Sequence, residues 1–85
     1  MYSLNLIDDS GKSVKELEGL GESKDIDDIC KSGVWIAEKI VSPSVNSNKD
    51  LENWRKNIYN SLRKNLEYKI RDDTGNSYLI RIEWL

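Results

Sequence analysis

Two segments of the chain carry nearly the same short motif of ion-binding residue types. The first reads DDSGKS at residues 8–13, and the second reads DDTGNS at residues 72–77. Gly-Lys-Ser at residues 11–13 matches the end of a phosphate-binding loop, whose backbone N–H groups and lysine hold phosphate oxygens. That loop requires another glycine five residues before Gly11, where Leu6 stands. A phosphate-binding loop is therefore not expected here.

The same two segments contain the carboxylate and hydroxyl oxygens that hard cations prefer. A calcium loop needs acidic or amide residues at alternating positions and a distant glutamate, and neither segment has this pattern. Two Asp-Asp turns meeting at one end of a sheet are a weaker route to a cation site. Solvated turn carboxylates explain them more simply, so we expect no metal and no cofactor.

Other catalytic residue types are scarce or badly placed. The chain has no histidine, which removes the commonest general base and metal ligand. Its one cysteine, Cys30, lies on the apolar arc of a predicted helix, whereas a reactive thiolate needs exposure and positive surroundings. The acidic cluster of Asp25, Asp27 and Asp28 is typical of a helix start. We therefore expect no catalytic residues and no enzymatic activity.

The charge is distributed unevenly along the chain. The net charge of -2 favours neither a polyacidic nucleic-acid mimic nor a general polyanion binder. Residues 49–71, however, hold seven Lys and Arg against three acids, a net charge of +4. Five residues of the outer face of a predicted helix in this region form what we call the basic surface: Lys49, Lys56, Asn60, Arg63 and Lys64. Such residues contact phosphates and base edges, although a solvated helix face has the same composition.

A tryptophan defines a second candidate surface. On a helical wheel Trp35 points away from the apolar arc of its helix, among polar and charged residues. We call Trp35 with its neighbours Asp28, Lys31 and Lys39 the Trp35 surface. An exposed tryptophan is often a hot spot of a protein interface. The alternative is that residues 16–23 or the loop at residues 42–48 fold over the ring.

Three segments have the alternating pattern of half-buried strands, at residues 2–7, 66–71 and 78–84. Their inward-facing residues are expected to be Tyr2, Leu4 and Leu6, then Leu66, Tyr68 and Ile70, then Tyr78, Ile80, Ile82 and Trp84. In the last two strands, pairing residue 70 with residue 78 sets Glu67 opposite Arg81. Pairing residue 70 with residue 80 brings like charges together, so the first register is expected.

Each repeated motif then becomes a turn. In the second hairpin, residues 73–75 form a three-residue loop with Gly75 at the position that favours a left-handed backbone. Residues 9–11 have the same arrangement, which sets Leu6 opposite Val14. We expect Asp72 and Asp8 to accept hydrogen bonds from their own turns.

Two helices are predicted between the hairpins. Apolar residues from 26 to 41 fall on one broad arc, Asp25 is a suitable N-cap, and Pro43 ends the helix. A rival interpretation ends this helix at Gly33 and makes residues 34–41 a strand. The second helix begins after Ser47, ends near Asn65 and faces inward through four residues: Leu51, Trp54, Ile58 and Leu62.

Together these elements predict one α+β domain over residues 1–85, in the order β-β-α-α-β-β, with both helices on one face of an antiparallel sheet. A single cysteine and no apolar run of membrane-spanning length favour a cytoplasmic protein without membrane contact. Small immunity, antitoxin and phage inhibitor proteins are similar in size and in their lack of catalytic residues. This favours a non-catalytic protein-binding module whose partner is a toxin or nuclease-like protein. The alternatives are nucleic-acid binding through the basic surface and an oligomer-forming structural subunit.

Overall fold

The computed structural model describes residues 1–11, 21–41, 48–72 and 74–84. The described elements follow the predicted order β-β-α-α-β-β. They are β1 (Tyr2–Asp8), β2 (Glu22–Ser23), α1 (Ile26–Ile40), α2 (Asn48–Asn65), β3 (Glu67–Arg71) and β4 (Ser77–Trp84).

The four strands form one antiparallel sheet in the order β2-β1-β4-β3. Its two central strands, β1 and β4, are far apart in sequence but pair along their whole length, from Tyr2 with Trp84 to Asp8 with Tyr78. Helices α1 and α2 pack together against the face that carries Leu4, Ile80 and Ile82. The predicted α+β class, with both helices on one face of an antiparallel sheet, is confirmed.

The predicted register of the β3–β4 hairpin is also confirmed. Glu67 lies opposite Arg81 and Ile70 lies opposite Tyr78. Gly75 has the positive φ of +92° that the turn demands. One carboxylate oxygen of Asp72 accepts the backbone N–H groups of Thr74 and Asn76, each at 2.9 Å. Hydrogen bonds from the Thr74 side chain and from these backbone groups hold the pKa of Asp72 below its usual range.

The first motif forms a turn of the same kind. Gly11 has a φ of +81°, and its N–H donates to the carbonyl of Asp8 at 3.0 Å. The Asp8 side chain accepts from the N–H of Ser10 at 2.9 Å. The predicted pairing of Leu6 with Val14 lies outside the described residues. Strand β2 runs beside the start of β1, because the N–H of Leu4 donates to the carbonyl of Gly21 at 2.7 Å.

Helix α1 is continuous, so the rival strand over residues 34–41 is wrong. Asp25 is its N-cap, as predicted, and accepts the N–H of Asp27 at 2.9 Å. Gly33 does not end the helix, because it lies buried inside it where a larger residue would meet Leu62 of α2. The glycine therefore serves close helix packing.

Helix α2 begins at Asn48 and ends at Asn65, close to the predicted end. The predicted cap at Ser47 lies outside the described residues. Ile58 and Leu62 are fully buried, whereas Leu51 and Trp54 are half-buried. Leu66 follows with a φ of +61°, which turns the chain directly into β3.

The core consists mainly of aliphatic side chains. Its largest fully buried members are Ile29, Ile36, Ile58, Leu62, Ile80 and Cys30. Trp84 and Leu66, both expected on inward faces, are instead 65% and 43% exposed. The rings of Trp84 and Tyr2 meet edge to face, with centroids 4.7 Å apart. Five partly buried aromatic residues pack around this aliphatic centre: Tyr2, Trp54, Tyr59, Tyr68 and Tyr78.

Candidate functional site on the outer surface of the helices

Trp35 lies on the solvent side of α1, as the helical wheel predicted. Its side chain is 44% exposed, although α1 buries six other residues against the core. The ammonium group of Lys39, one turn further on, lies 3.9 Å from the centre of the indole ring. A cation in this position is attracted by the electron-rich face of the ring. The indole is thus held against the helix but remains accessible.

A shallow groove of about 340 Å³ runs between α1 and α2. We call it the α1–α2 groove; its lining residues are Lys31, Val34, Arg55, Lys56 and Tyr59. Val34 and the Tyr59 ring provide apolar surface, while the three cations supply positive charge along the walls. A groove of this kind accepts an apolar side chain of a partner. Its positive charge favours a partner with acidic residues next to that side chain.

Two polar contacts connect the helices across this groove. The hydroxyl of Tyr59 donates to the carboxylate of Asp27, which also receives the Lys31 ammonium group at 2.9 Å. The guanidinium group of Arg55 donates to the carboxylate of Glu38. The carboxylates of Asp27 and Glu38 thus neutralise the charges of Lys31 and Arg55. The positive charge of Lys56, which also lines the groove, is not neutralised by either of them.

The contacts around Asp27 also shift its titration. Hydrogen bonds from Tyr59 and then from Lys31 hold the pKa of Asp27 below its usual range. The same bond raises the pKa of the Tyr59 hydroxyl, and the Asp27 carboxylate raises the pKa of Lys31. Each shift favours the ordinary charge state of its group at physiological pH: a negative Asp27, a positive Lys31 and a neutral Tyr59.

All members of the basic surface are exposed on α2. No carboxylate of a described residue lies within salt-bridge distance of Lys49, Lys56, Arg63 or Lys64. Lys56 also lines the α1–α2 groove, whereas Lys64 lies about 80° further round the helix, away from α1. The fold therefore joins the two predicted surfaces, because Lys31 of one and Lys56 of the other line one groove.

The remaining candidates for chemistry have structural roles. Cys30 is fully buried, and this burial raises the pKa of its thiol. The two Asp-Asp turns do meet at one end of the sheet, where the Asp9 carboxylate accepts the N–H of Ser77 at 3.2 Å. Within the described ranges, no group of three or more Cys, Asp or Glu side chains is placed to hold a metal ion.

Sequence patterns missed Arg55 and Tyr59 as members of the site. Both lie one turn apart on α2 and face α1, between the buried stripe and the basic surface. The acidic residues Asp27 and Glu38 on α1 could have indicated them, because a carboxylate at the edge of a helix interface often accepts a hydrogen bond from the facing helix. In the structure Asp27 accepts from Tyr59 and Glu38 accepts from Arg55.

Neither helix in the described part of the chain is long and apolar enough to cross a membrane. No protein-family model matches the chain, and no curated protein or solved structure is similar enough to be matched to it.

Proposed function

We propose that this protein is a non-catalytic binding module that docks a protein partner on the outer surface of α1 and α2. In this role it acts as a small inhibitor or immunity protein, which neutralises a toxin or nuclease-like partner by direct contact. The exposed indole of Trp35, on the same helix as the groove residues Lys31 and Val34, is the observation that carries the proposal. The same proposal places the protein in the cytoplasm, which the single unpaired cysteine supports.

The composition of the surface supports this role. Tryptophan, tyrosine and arginine are the residues most often found at the energetic centre of protein interfaces. Tyr59 and Arg55 line the groove, and the exposed Trp35 lies one helical turn beyond Lys31, which also lines it. A large apolar ring left in water forgoes roughly 2–3 kcal/mol of burial free energy. A partner that covers Trp35 recovers this free energy.

The surface is also held in place before any partner arrives. Arg55 is fixed by Glu38, Tyr59 by Asp27, and the Trp35 ring carries the Lys39 ammonium group. Side chains that are already ordered lose less conformational entropy on binding. This arrangement favours a docking surface over a loosely solvated helix face.

Comparative capture with matched tryptophan variants tests the proposal. Wild-type protein, Trp35→Ala and the control Trp84→Ala are immobilised, and the proteins that each retains from cells are identified and then titrated. We expect a partner whose affinity falls by about 30-fold for Trp35→Ala and is unchanged for Trp84→Ala, which removes an exposed indole elsewhere. The stability of Trp35→Ala should stay within about 0.5 kcal/mol of wild type.

If wild type and Trp35→Ala retained the same partner with equal affinity, the proposed docking surface would be rejected. Unfolding of Trp35→Ala would also reject it, because that result would show that the indole belongs to the core.

Nucleic-acid binding is the second candidate, and the unpaired cations of the basic surface favour it. Phosphates release counterions when they meet such cations, so affinity falls steeply with salt. Reversing Lys56, Arg63 and Lys64 to glutamate should abolish binding to DNA or RNA and leave the fold intact, because all three are exposed. Failure of wild type to shift either nucleic acid at low salt rejects this candidate.

A further inference from the structure

Strand β3 forms one edge of the sheet, so only one of its sides is paired. The N–H of Ile82 donates to the carbonyl of Leu66 at 2.8 Å, and the N–H of Asp72 donates to the carbonyl of Asn76 at 2.9 Å. Both bonds involve even-numbered residues of this segment. Because bonding alternates along an antiparallel pair, the odd-numbered residues Glu67, Lys69 and Arg71 direct their backbone groups away from β4.

No other described segment uses these outward groups. None of the hydrogen bonds among the described residues reaches the N–H or carbonyl of Glu67, Lys69 or Arg71 from outside the sheet. Unpaired edge groups of this kind are a template for an added strand. The template spans five residues, a common length for a strand.

Space for such a strand lies beside the edge. A cleft of about 450 Å³ opens between β3 and the flank of α2; we call it the β3 cleft. Its lining residues are Ser61, Asn65, Glu67, Tyr68 and Lys69. Helix α2 forms one wall and the edge strand forms the other, so alternate side chains of an added strand would enter a pocket with hydroxyl and amide groups.

The side chains on the outer face of β3 select the charge of the added strand. Lys69 and Arg71 are exposed, and no carboxylate of a described residue lies within salt-bridge distance of either. Glu67 on the same face lies 3.9 Å from the guanidinium group of Arg81, which partly neutralises it. The remaining positive charge favours carboxylates on a neighbouring strand.

We propose that the protein has a second docking site, at which an extended acidic peptide segment of a partner adds to β3 as a fifth strand. Its main chain bonds to the outward groups of Glu67, Lys69 and Arg71. Its acidic side chains lie beside Lys69 and Arg71, and its alternate side chains enter the β3 cleft. This site uses neither Trp35 nor the α1–α2 groove, so it does not depend on the function proposed above.

Amide hydrogen exchange tests the site directly. In the free protein we expect slow exchange at Tyr68 and Ile70 and fast exchange at Lys69 and Arg71, because only the even-numbered amides are bonded to β4. The probe is a synthetic peptide of about eight residues that alternates threonine and glutamate. Threonine suits strands and the polar cleft, while glutamate suits the cations. On adding this peptide, Lys69 and Arg71 should become protected while Tyr68 and Ile70 stay unchanged.

Three controls separate strand addition from general attraction between charges. The same peptide with every backbone nitrogen methylated keeps its charge but has no N–H group to donate to the edge, and it should give no protection. A threonine–lysine peptide should not bind. Lys69→Glu should weaken binding of the acidic peptide by about tenfold or more. Lys24→Glu, the same charge change at an exposed residue beside β2 on the opposite edge of the sheet, should not.

Absence of protection at about 1 mM acidic peptide would overturn the proposal. Binding that survives backbone methylation would also overturn it. The amides of Lys69 and Arg71 could also exchange more slowly in the free protein as its concentration rises. That result would show that a second copy of the chain occupies the edge instead. Trp35→Ala should leave peptide binding unchanged, so failure at this site and failure at the α1–α2 groove can be told apart.

Discussion

The hydroxyl of Tyr59 on α2 donates a hydrogen bond to the carboxylate of Asp27 in the first turn of α1. The two residues are 32 positions apart in sequence, so the bond sets how the two helices lie against each other at one end of the groove. Lys31 completes the arrangement from the next turn of α1, at 2.9 Å from the same carboxylate. The shape of the candidate binding surface therefore depends on a bond that can titrate.

Tyr59→Phe should lower stability near neutral pH, and its effect should depend on pH. The folded-state pKa of Asp27 is lowered, mainly by Tyr59, so this contribution is fully present above the unfolded value of about 4 and is lost as the pH falls through the folded value. The raised pKa of Tyr59 works in the opposite direction. Its contribution is present below about pH 10 and is lost as the pH rises through the folded value.

Urea denaturation of wild type and Tyr59→Phe across this pH range provides the measurement. The difference in unfolding free energy should be largest between the two limits and should shrink at both ends. Tyr68→Phe is a matched control, because no described residue accepts a hydrogen bond from the Tyr68 hydroxyl. A Tyr59→Phe effect that does not vary with pH would show that the bond contributes nothing.

Gly33→Ala should destabilise the protein, although alanine is the better helix former by about 1 kcal/mol. A methyl group at this position would lie 2.5 Å from the Cδ1 atom of Leu62, which is fully buried. Overpacking of this kind typically costs roughly 1–3 kcal/mol, which exceeds the gain in helix propensity. The change in the chemical denaturation midpoint gives the sign.

The partner in this contact provides a control. Leu62→Val removes part of the side chain that meets the new methyl group. The cost of Gly33→Ala and Leu62→Val together should therefore be smaller than the sum of their separate costs. Additive costs, or a stabilising Gly33→Ala, would show that the helices are not in close contact here.

Gly75→Ala should cost on the order of 1 kcal/mol. Nothing lies within 4 Å of a side chain added at this position, so the cost comes only from the φ of +92°. Gly75→Asn should cost less, because asparagine tolerates a left-handed backbone better than alanine does. Equal stability of wild type and Gly75→Ala in urea would contradict the turn.

Local patterns predicted the local parts of the fold. Alternation and charge pairing placed Glu67 opposite Arg81, and the Asp25 cap marked the start of α1. The same reasoning left the role of Gly33 open, because glycine at a helix end and glycine at a helix crossing look alike in sequence. The presence of Leu62 opposite it decides between them, and that contact appears only after α2 has packed.

The candidate site was predicted as two separate surfaces. The exposure of Trp35 and of the α2 cations followed from helical wheels, which assign residues to faces of a single helix. A wheel does not show which faces of two helices become neighbours. The meeting of Lys31 and Lys56 at one groove depends on the crossing of α1 over α2, and so does the place of Arg55 and Tyr59 in its lining.

The central pairing of β1 with β4 has a consequence for how the chain folds. Its first register pair, Tyr2 with Trp84, joins residues at opposite ends of the described chain. Closing so long a loop costs entropy before the strands gain any contact, and proteins rich in such distant contacts fold slowly. The helices and the β3–β4 hairpin can form early from neighbouring residues. The sheet closes only when β1 reaches β4, so β1 is expected to dock late, with its strand edge exposed to association with other chains until then.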